Sequence, residues 1–143
     1  MTDRIAKTRP HNPTSVWPVP PDFAAIYSHA VEVQPGSGVL FISGQVGLDR
    51  ENRLSLDFTE QCEQAMANVE ALLAAAEIPI ENIVKATYYL TRAADLPPLA
   101  EVRRRRWPVK NPPAVTTLVV AALVHPQILV QIDVVAATVT SQG

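Results

Sequence analysis

The sequence is poor in cysteine, which limits where the protein can fold and what can hold it together. Cys62 is the only cysteine among 143 residues, so no disulfide can form within the chain. That usage is typical of a reducing compartment, and the N-terminal segment lacks the apolar core of a signal peptide. No run of about 18 consecutive apolar residues occurs, so no membrane span is predicted. We therefore expect a cytoplasmic protein without a membrane partner.

A strong charge of either sign is also missing. Lysine and arginine total 12, and aspartate and glutamate total 14, which gives a net charge of −2. Such a balance predicts no overall electrostatic footprint for nucleic acid. The histidines show no metal-ligand spacing such as His-x-x-x-His, so no metal site is predicted. Because 48% of the residues are hydrophobic, the chain can bury a core, and we expect residues 1–143 to form a single domain.

Proline, in contrast, is plentiful near the N-terminus. The chain holds 13 prolines, and those at positions 10, 13, 18, 20 and 21 lie close together. Because proline fixes φ and removes a backbone donor, residues 1–23 are predicted to form an extended arm rather than a helix. Trp17 is the natural anchor for this arm.

Hydrophobic periodicity beyond the arm predicts strands and two helices. In residues 57–76 apolar side chains recur every three or four positions, which indicates a helix that packs on a sheet. Its predicted apolar stripe comprises Phe58, Cys62, Ala65, Val69, Leu72, Leu73 and Ala76. A second helix is predicted to begin at Asp95, as its N-cap, and to end near Pro108. Strands are predicted over 25–34, 38–43, 82–91, 114–123 and 128–139.

The last two predicted strands are apolar on both of their faces. The residues concerned are Leu118, Val119, Val120, Leu129, Val130, Ile132, Val134 and Val135. Because one layer of helices covers one face of a sheet, the other face needs a partner surface, which subunit association would supply. The alternative is that the second helix covers more of the sheet.

A series of short motifs follows a familiar order along residues 24–138. The motifs read YSHAV, VLFISGQVGLD, QAMANVEALLAAA, ENIVKATYYLT, ADLPPLAEV, PPAVTTLVVAAL and VQIDVVA. This order resembles the RidA/YjgF family, also called the reactive intermediate deaminase or endoribonuclease L-PSP family. The resemblance implies an α+β, chorismate-mutase-like fold: a mixed β-sheet with two helices packed on one face. It also implies a homotrimer with small-molecule clefts between subunits, hydrolysis of imines or enamines to 2-oxo acids and ammonia, and no metal or organic cofactor.

The sequence departs from the resembled family at three cleft positions. Deaminating members read Pro-Ala-Arg-Ser where this chain has Pro-Ala-Val-Thr, so Val115 replaces the arginine that binds the substrate carboxylate. Their Glu-x-Glu pattern becomes Gln131 and Asp133, and Gln131 can position a water but cannot accept its proton. The family asparagine of the second helix aligns with Ala100. We therefore expect weak or absent activity on ordinary 2-imino acids.

The remaining residues of the resembled cleft supply the candidate site. For catalysis these are Gln131 and Thr117, which would hold a water, and Asp133 or His29, which would carry a proton. For substrate binding they are Tyr27, Ser43, Gly44, Val115, Thr116, Arg103 and Arg104.

The run Arg103–Arg106 is the most unusual feature of the predicted second helix. Leu99 and Val102 mark its buried face, and Arg103 and Arg106 fall three or four residues further along that face. One interpretation is a solvated helix face. Another is an anion-binding arginine relocated from position 115. A nucleic-acid patch is the weakest option, because Trp107 is the only aromatic residue nearby for base stacking.

Three functions stay open on the sequence alone. The first is a divergent RidA-type enzyme, an imine or enamine hydrolase or a tautomerase, with an atypical small-molecule substrate. The second is a trimer that binds a metabolite in its clefts without catalysis, which the lost charges at positions 115 and 131 favour. The third is an RNA-processing or protein-binding role, based on the arginine run and on the endoribonuclease name of the resembled family.

Overall fold

The computed structural model describes residues 4–139 and is built around a four-stranded mixed sheet in the order β3-β6-β4-β5. The elements are β1 (Thr8–His11), β2 (Ala30–Val33), β3 (Gly38–Gln45), α1 (Phe58–Ala75), β4 (Ile83–Leu90), α2 (Leu96–Arg106), β5 (Ala114–Val119) and β6 (Val130–Thr138). β6 is antiparallel to β3 and β4, whereas β4 and β5 are parallel and joined through α2. Within the described chain, no helix is both long enough and apolar enough to cross a membrane.

The predicted first helix is confirmed as α1, and its start is set by a side-chain cap. The carboxylate of Asp57 accepts a hydrogen bond from the Glu60 backbone N–H at 3.0 Å, which satisfies one of the free amides of the first turn. The buried face includes Cys62, Ala65, Met66, Val69 and Leu73. The predicted stripe was wrong at its C-terminal end, where Leu72 is 42% exposed and Ala76 lies beyond the helix. The 3.6-residue period turns Leu72 away from the sheet.

The two helices pack on one face of the sheet, as the predicted fold class requires. Alternate residues of the central strands face them, and these are almost fully buried: Ala86, Tyr88, Leu90, Val130, Ile132, Val134 and Ala136. The opposite face, called the open face below, carries both polar and apolar side chains. Phe41 is 78% exposed and Leu118 is 44% exposed, and by strand alternation both lie on this face. This chain leaves the open face uncovered by any helix in residues 4–139.

The N-terminal arm is more structured than its prolines predict. Residues 8–11 form β1, which pairs with β2 in a separate two-stranded sheet. Asn82 fastens the arm: its side chain accepts a hydrogen bond from Ala6 N–H and donates to the carbonyl oxygens of Arg4 and Ala137. The strand predicted over 25–34 was too long. Only Ala30–Val33 forms a strand, β2, and it pairs with β1. That the whole chain is one domain stays a prediction.

The strands predicted over 114–123 and 128–139 are also shorter in the structure. β5 pairs along its length with β4, which ends at Leu90, and makes one isolated bridge, between Ala114 and Ser28. The Val120 N–H makes the last bond, to the Leu90 carbonyl at 2.7 Å. Beyond that point the chain has no neighbouring strand, so residues 120–129 form a loop despite their apolar composition.

An ion-pair cluster joins α1 to the C-terminal end of α2. The Arg106 guanidinium donates to Glu70 and Glu63, with N–O distances of 2.8 Å to each. The indole N–H of Trp107 also donates to Glu70, at 2.9 Å. Burial raises the pKa of Glu63, but hydrogen bonds from Arg105 and Arg106 outweigh it and hold that pKa below its usual range. The cluster therefore fixes which side of α2 faces α1.

Replacing Arg106 should destabilise the fold more than replacing a neighbouring arginine. We expect Arg106→Met to lower the free energy of unfolding by about 1–3 kcal/mol, because it removes the one guanidinium that binds both Glu63 and Glu70 and leaves them only Arg105 and the Trp107 indole. Methionine has a helix propensity close to that of arginine. Arg104 is exposed, so Arg104→Met is the matched control and should change stability by less than about 0.5 kcal/mol. Urea unfolding of both variants measures the difference, and equal effects would contradict the assigned role of the cluster.

Candidate functional site

A half-open cavity of about 610 Å³ lies between α2, β5 and the segment that precedes β2. Five of the predicted substrate-binding and catalytic residues line it: Tyr27, Arg103, Arg104, Val115 and Thr117. Ala100, at the position of the family asparagine, lines it as well. Its volume falls within the range of about 300–1,000 Å³ that is usual for small-molecule sites. This cavity, which we call the larger cavity, is therefore a candidate ligand site.

β5 and the segment before β2 place three of these side chains on the helix side of the sheet. In the parallel pairing of β4 and β5, Val115 lies beside Ala86 and Thr117 beside Tyr88. Ser28 holds the neighbouring segment: its backbone N–H donates to the Pro113 carbonyl at 2.9 Å, and its hydroxyl donates to the Pro112 carbonyl at 2.8 Å. These bonds keep the adjacent Tyr27 at the mouth of the cavity.

Arg103 is the charged group most closely integrated into the cavity wall. It follows the fully buried Val102, and its guanidinium carbon lies 4.9 Å from the ring centroid of Tyr88. Its Nε and Nη1 atoms are buried and have no hydrogen-bond partner within residues 4–139. Of the two arginines that helical spacing places along the buried face, Arg103 is therefore the one that lines this cavity. Burial raises the pKa of Tyr88 to about 12, so this phenol stays protonated beside the cation.

The other arginines of the run have different surroundings. Arg106 and Arg105 both pair with Glu63, and the Arg105 pair measures 2.6 Å. Arg104 is exposed at the rim of the larger cavity. Two of the four positive charges are thus partly neutralised by acids of α1, which argues against a uniform basic patch.

A second group of predicted residues lies on the open face of the sheet. The side-chain amide of Gln131 donates to Asp133 at 3.3 Å, and both belong to β6. β3 passes so close that a Cβ on Gly44 would lie 2.2 Å from Gln131 Nε2. Gly44 therefore leaves room for these polar side chains. Ser43, next to it, is exposed.

Tyr89 and Thr116 complete this group. The name open-face cluster is used below for Gln131, Asp133, Gly44, Tyr89 and Thr116. A hydrogen bond to Asp133 raises the pKa of Tyr89. Thr116 accepts a hydrogen bond from Lys85 Nζ at 2.7 Å. Because side chains alternate along a strand, Thr116 and Thr117 face opposite sides of the sheet. Within one chain, the two candidate water-holding residues, Gln131 and Thr117, therefore lie on opposite faces of the sheet.

His29 lies outside the larger cavity, on the far side of Tyr27. Its ring centroid is 6.0 Å from that of Tyr27, so the predicted proximity of the two is present, although neither residue belongs to β2. The ring Nε2 donates to the Trp17 carbonyl at 2.7 Å, and the ring meets the Trp17 indole edge-on at 4.4 Å. In this chain His29 therefore fastens the arm through Trp17, and its role as a proton carrier stays a prediction.

Two further groups are unsuited to chemistry at this site. Cys62 is fully buried in the core, and burial raises the pKa of its thiol to about 12, so the reactive thiolate is scarce. Asp95 was predicted to cap α2, but its carboxylate binds Arg92 at 2.8 Å and makes no capping hydrogen bond. Across residues 4–139, no group of three or more His, Cys, Asp or Glu side chains could hold a metal ion.

Sequence reasoning missed the apolar wall of the larger cavity. This wall comes from Pro20 and Phe23 of the arm and from Leu96 and Pro97 in the first turn of α2. The prolines were interpreted only as helix breakers. Their second effect, holding an aromatic side chain at a fixed place beside the cavity, depends on how the arm folds back and has no local signal.

Comparison with known proteins agrees with this geometry. The family model for endoribonuclease L-PSP, the RidA/YjgF family, matches residues 19–138, which spans the sheet, both helices and the cavity. The chain belongs to the RidA/YjgF family. A RutC family protein of Aquifex aeolicus is 46% identical over 53% of this chain, and the match spans 59% of that relative, which is under two thirds of its length. A protein of Myxococcus xanthus named DfrA is 36% identical over 68% of this chain and 74% of its own.

Solved structures of RidA-type proteins have the same fold. A Rid family protein of Yersinia pestis, YyfB, described as of unknown function, superimposes with a TM-score of 0.77 at 28% identity, covering 90% of this chain and 97% of that one. RidA from an Antarctic Psychrobacter superimposes with a TM-score of 0.65 at 33% identity, covering 77% and 86%. The predicted fold class, a mixed sheet with two helices on one face, is therefore confirmed.

The contact between Tyr89 and Asp133 predicts a measurable titration. Ionising the phenol would place a second negative charge beside the carboxylate, so we expect Asp133→Asn to lower the pKa of Tyr89 toward its ordinary value of about 10. Tyr88 is the internal control, since its raised pKa comes first from burial and should not change. NMR titration of the two tyrosine rings makes the comparison. A Tyr89 pKa unaffected by the substitution would remove Asp133 as its partner.

Proposed function

We propose that this RidA-family protein binds a small carboxylate in the larger cavity and hydrolyses or tautomerises its imine or enamine in clefts between the subunits of a homotrimer. The observation that carries the proposal is Arg103, a cavity-lining guanidinium with two buried nitrogens lacking partners in residues 4–139. No cofactor or metal is assigned. The cytoplasmic location inferred from the single cysteine stays a prediction.

Arg103 supplies the charge that Val115 cannot. Both residues line the larger cavity, one from α2 and the other from β5. Arg103 lies over the Tyr88 ring, but leaving its buried Nε and Nη1 without hydrogen bonds is costly, and arginine cannot lower that cost by losing its proton. A carboxylate in the cavity offsets the cost through charge-assisted hydrogen bonds, each contributing about 1.5–3 kcal/mol. The relocated-arginine hypothesis is therefore the one we adopt.

The trimer is proposed because the candidate residues divide between two faces of the sheet. Arg103 and Thr117 lie on the helix side, whereas Gln131 and Asp133 lie on the open face. A neighbouring subunit whose open-face cluster meets the larger cavity would unite them. Exposed apolar side chains such as Phe41 on the open face give subunits a reason to associate there.

The proposed reaction needs one water and no oxidant. Gln131 holds the water, and Asp133 accepts its proton as the oxygen attacks the imine carbon. A C–O bond forms while the C=N double bond becomes a single bond, and Asp133 returns the proton to nitrogen. Asp133 then moves the proton of the new hydroxyl group to nitrogen, so the C–N bond breaks as the C=O bond forms, and ammonia leaves with a 2-oxo acid as the second product. Tyr27 and Thr117 provide hydroxyl groups that orient the substrate. In the tautomerase version, Asp133 moves a proton between carbon and nitrogen and no bond to water forms.

A non-catalytic ligand-binding trimer is the second candidate. Its support is that no acidic side chain of the described residues lines the larger cavity. Ligand binding without turnover, in a protein whose Arg103 is required for that binding, would favour it. The arginine run gives the RNA-processing alternative less support, because Arg105 and Arg106 pair with acids of α1.

Moving the positive charge tests whether Arg103 binds the carboxylate. We expect Arg103→Met to weaken binding of 2-oxobutanoate, a product-like carboxylate, by about tenfold to a hundredfold, the equivalent of one charge-assisted pair. Adding Val115→Arg to that variant should restore much of the affinity, because position 115 lines the same cavity. Arg105→Met, which removes a half-exposed and ion-paired arginine, is the control and should leave affinity unchanged. Calorimetry gives the dissociation constant of 2-oxobutanoate for the unmodified protein and for the three variants. An affinity of Arg103→Met equal to that of the unmodified protein would contradict the proposal.

Mixing two inactive subunits tests whether the cleft lies between subunits. Arg103→Met and Asp133→Asn should each abolish ammonia release from 2-imino acids produced in situ. Refolding the two variants together at equal amounts should restore about a quarter of the activity, since half the cavities and half the adjoining open faces are intact and they combine at random. A cleft built within one chain would show no restored activity at any mixing ratio.

A further inference from the structure

The wall opposite Arg103 in the larger cavity is apolar and partly aromatic. Phe23 and Tyr27 stand side by side, with ring centroids 6.4 Å apart and ring planes inclined by 40°. Leu96 and Pro97, in the first turn of α2, continue the wall. A three-carbon acid held by Arg103 would leave most of this surface in contact with water, so the wall exceeds what a small substrate requires.

The aromatic wall continues beyond the larger cavity. The Trp17 ring lies 6.4 Å from Tyr27, and a second cavity of about 450 Å³ is lined by Trp17, Tyr27 and His29. Tyr27 is thus shared by both cavities. The arm that carries Trp17 is fastened: Asn12 accepts a hydrogen bond from the His29 backbone N–H at 2.8 Å, and His29 holds the Trp17 carbonyl. These hydrogen bonds therefore hold the rings of Trp17 and Tyr27 in fixed positions beside the two cavities.

The polar groups of the larger cavity are few: Arg103, Arg104, Thr117 and the hydroxyl of Tyr27. Arg103 and Thr117 both lie beside Tyr88. Arg103, Arg104 and Thr117 come from α2 and β5, whereas the arm contributes Pro20 and Phe23. Among the described residues that line it, no carboxylate or amide offers partners to a polar substrate tail. The cavity thus has one end for an anion and one end for a hydrophobic group.

We propose that the ligand of this site is a carboxylate that bears an aromatic or comparably large apolar group, with the carboxylate on Arg103 and the ring against Phe23 and Tyr27. This inference rests on the proposed function and names its substrate class. Aromatic rings gain from both burial and tilted ring contacts, and Phe23 and Tyr27 offer such contacts. The 2-imino or 2-oxo derivative of an aromatic amino acid has this chemistry.

The test compares two 2-oxo acids that differ only in the group at the apolar end. On the unmodified protein, phenylpyruvate should bind at least about tenfold more tightly than pyruvate, since burying a ring contributes more than burying a methyl group. Phe23→Ala should weaken phenylpyruvate more than pyruvate and so reduce that ratio, with Tyr27, Leu96 and Pro97 retaining part of the preference. Phe23→Leu, which keeps an apolar side chain, should retain most of the preference. Calorimetry gives each dissociation constant, and thermal melting checks that each variant is folded.

The outcomes separate this inference from the function on which it rests. Equal affinity for the two acids, with both weakened by Arg103→Met, would overturn the aromatic preference and leave the proposed function intact. If Arg103→Met weakens neither acid, the proposed function fails, and this inference fails with it. The series pyruvate, 2-oxobutanoate, 4-methyl-2-oxopentanoate and phenylpyruvate on the unmodified protein decides the preference even if Phe23→Ala does not fold. Affinity that does not rise with apolar size along this series overturns the inference.

Discussion

The structure depends on one constraint: a four-stranded sheet has two faces, and the helices of this chain cover only one of them. The covered face is a conventional core, with Tyr88 and Ile132 almost fully buried under α1 and α2. The open face retains Phe41 and other apolar side chains next to the hydrogen-bonded pair of Gln131 and Asp133. A surface that mixes exposed apolar and polar residues in this way is typical of a face that another subunit or protein covers. Both the proposed trimer and the proposed cleft follow from the uncovered face.

The rotation of α2 about its own axis decides which arginine is available for a ligand. The pairs between Arg106 and the two glutamates of α1 fix one side of the helix. Arg103 is three residues earlier, and in a helix of 3.6 residues per turn it projects about 60° away from Arg106. This angle places the Arg103 guanidinium away from α1, over the Tyr88 ring and in the wall of the larger cavity. The cluster that stabilises the helix packing therefore also orients the candidate ligand-binding charge.

Much of the fold could be predicted from the sequence, because several elements carry their own periodic signal. α1 and β4 were predicted within about two residues, since one has an apolar stripe with helical spacing and the other is rich in β-branched and aromatic residues. The limits of β5 and the arm could not be predicted, because they depend on where a partner strand ends and on contacts such as those of Asn82. Helical spacing placed Arg103 and Arg106 along the buried face of α2, but it did not decide which of the two lines the cavity. The aromatic wall was not, because it forms only when the arm returns to the sheet.

The loss of an arginine at position 115 does not by itself imply loss of function. What a buried carboxylate requires is a guanidinium of suitable geometry, and the backbone element that supplies it is secondary. Arg103 reaches the same cavity from α2. This route differs from the strand position in one physical respect: the guanidinium lies over the Tyr88 ring, so its stem approaches from the helix side. A carboxylate bound there would be displaced from the place that an arginine on β5 would give it. The rest of the ligand would shift accordingly, and the wall formed by Phe23 and Tyr27 is where a larger substituent finds room.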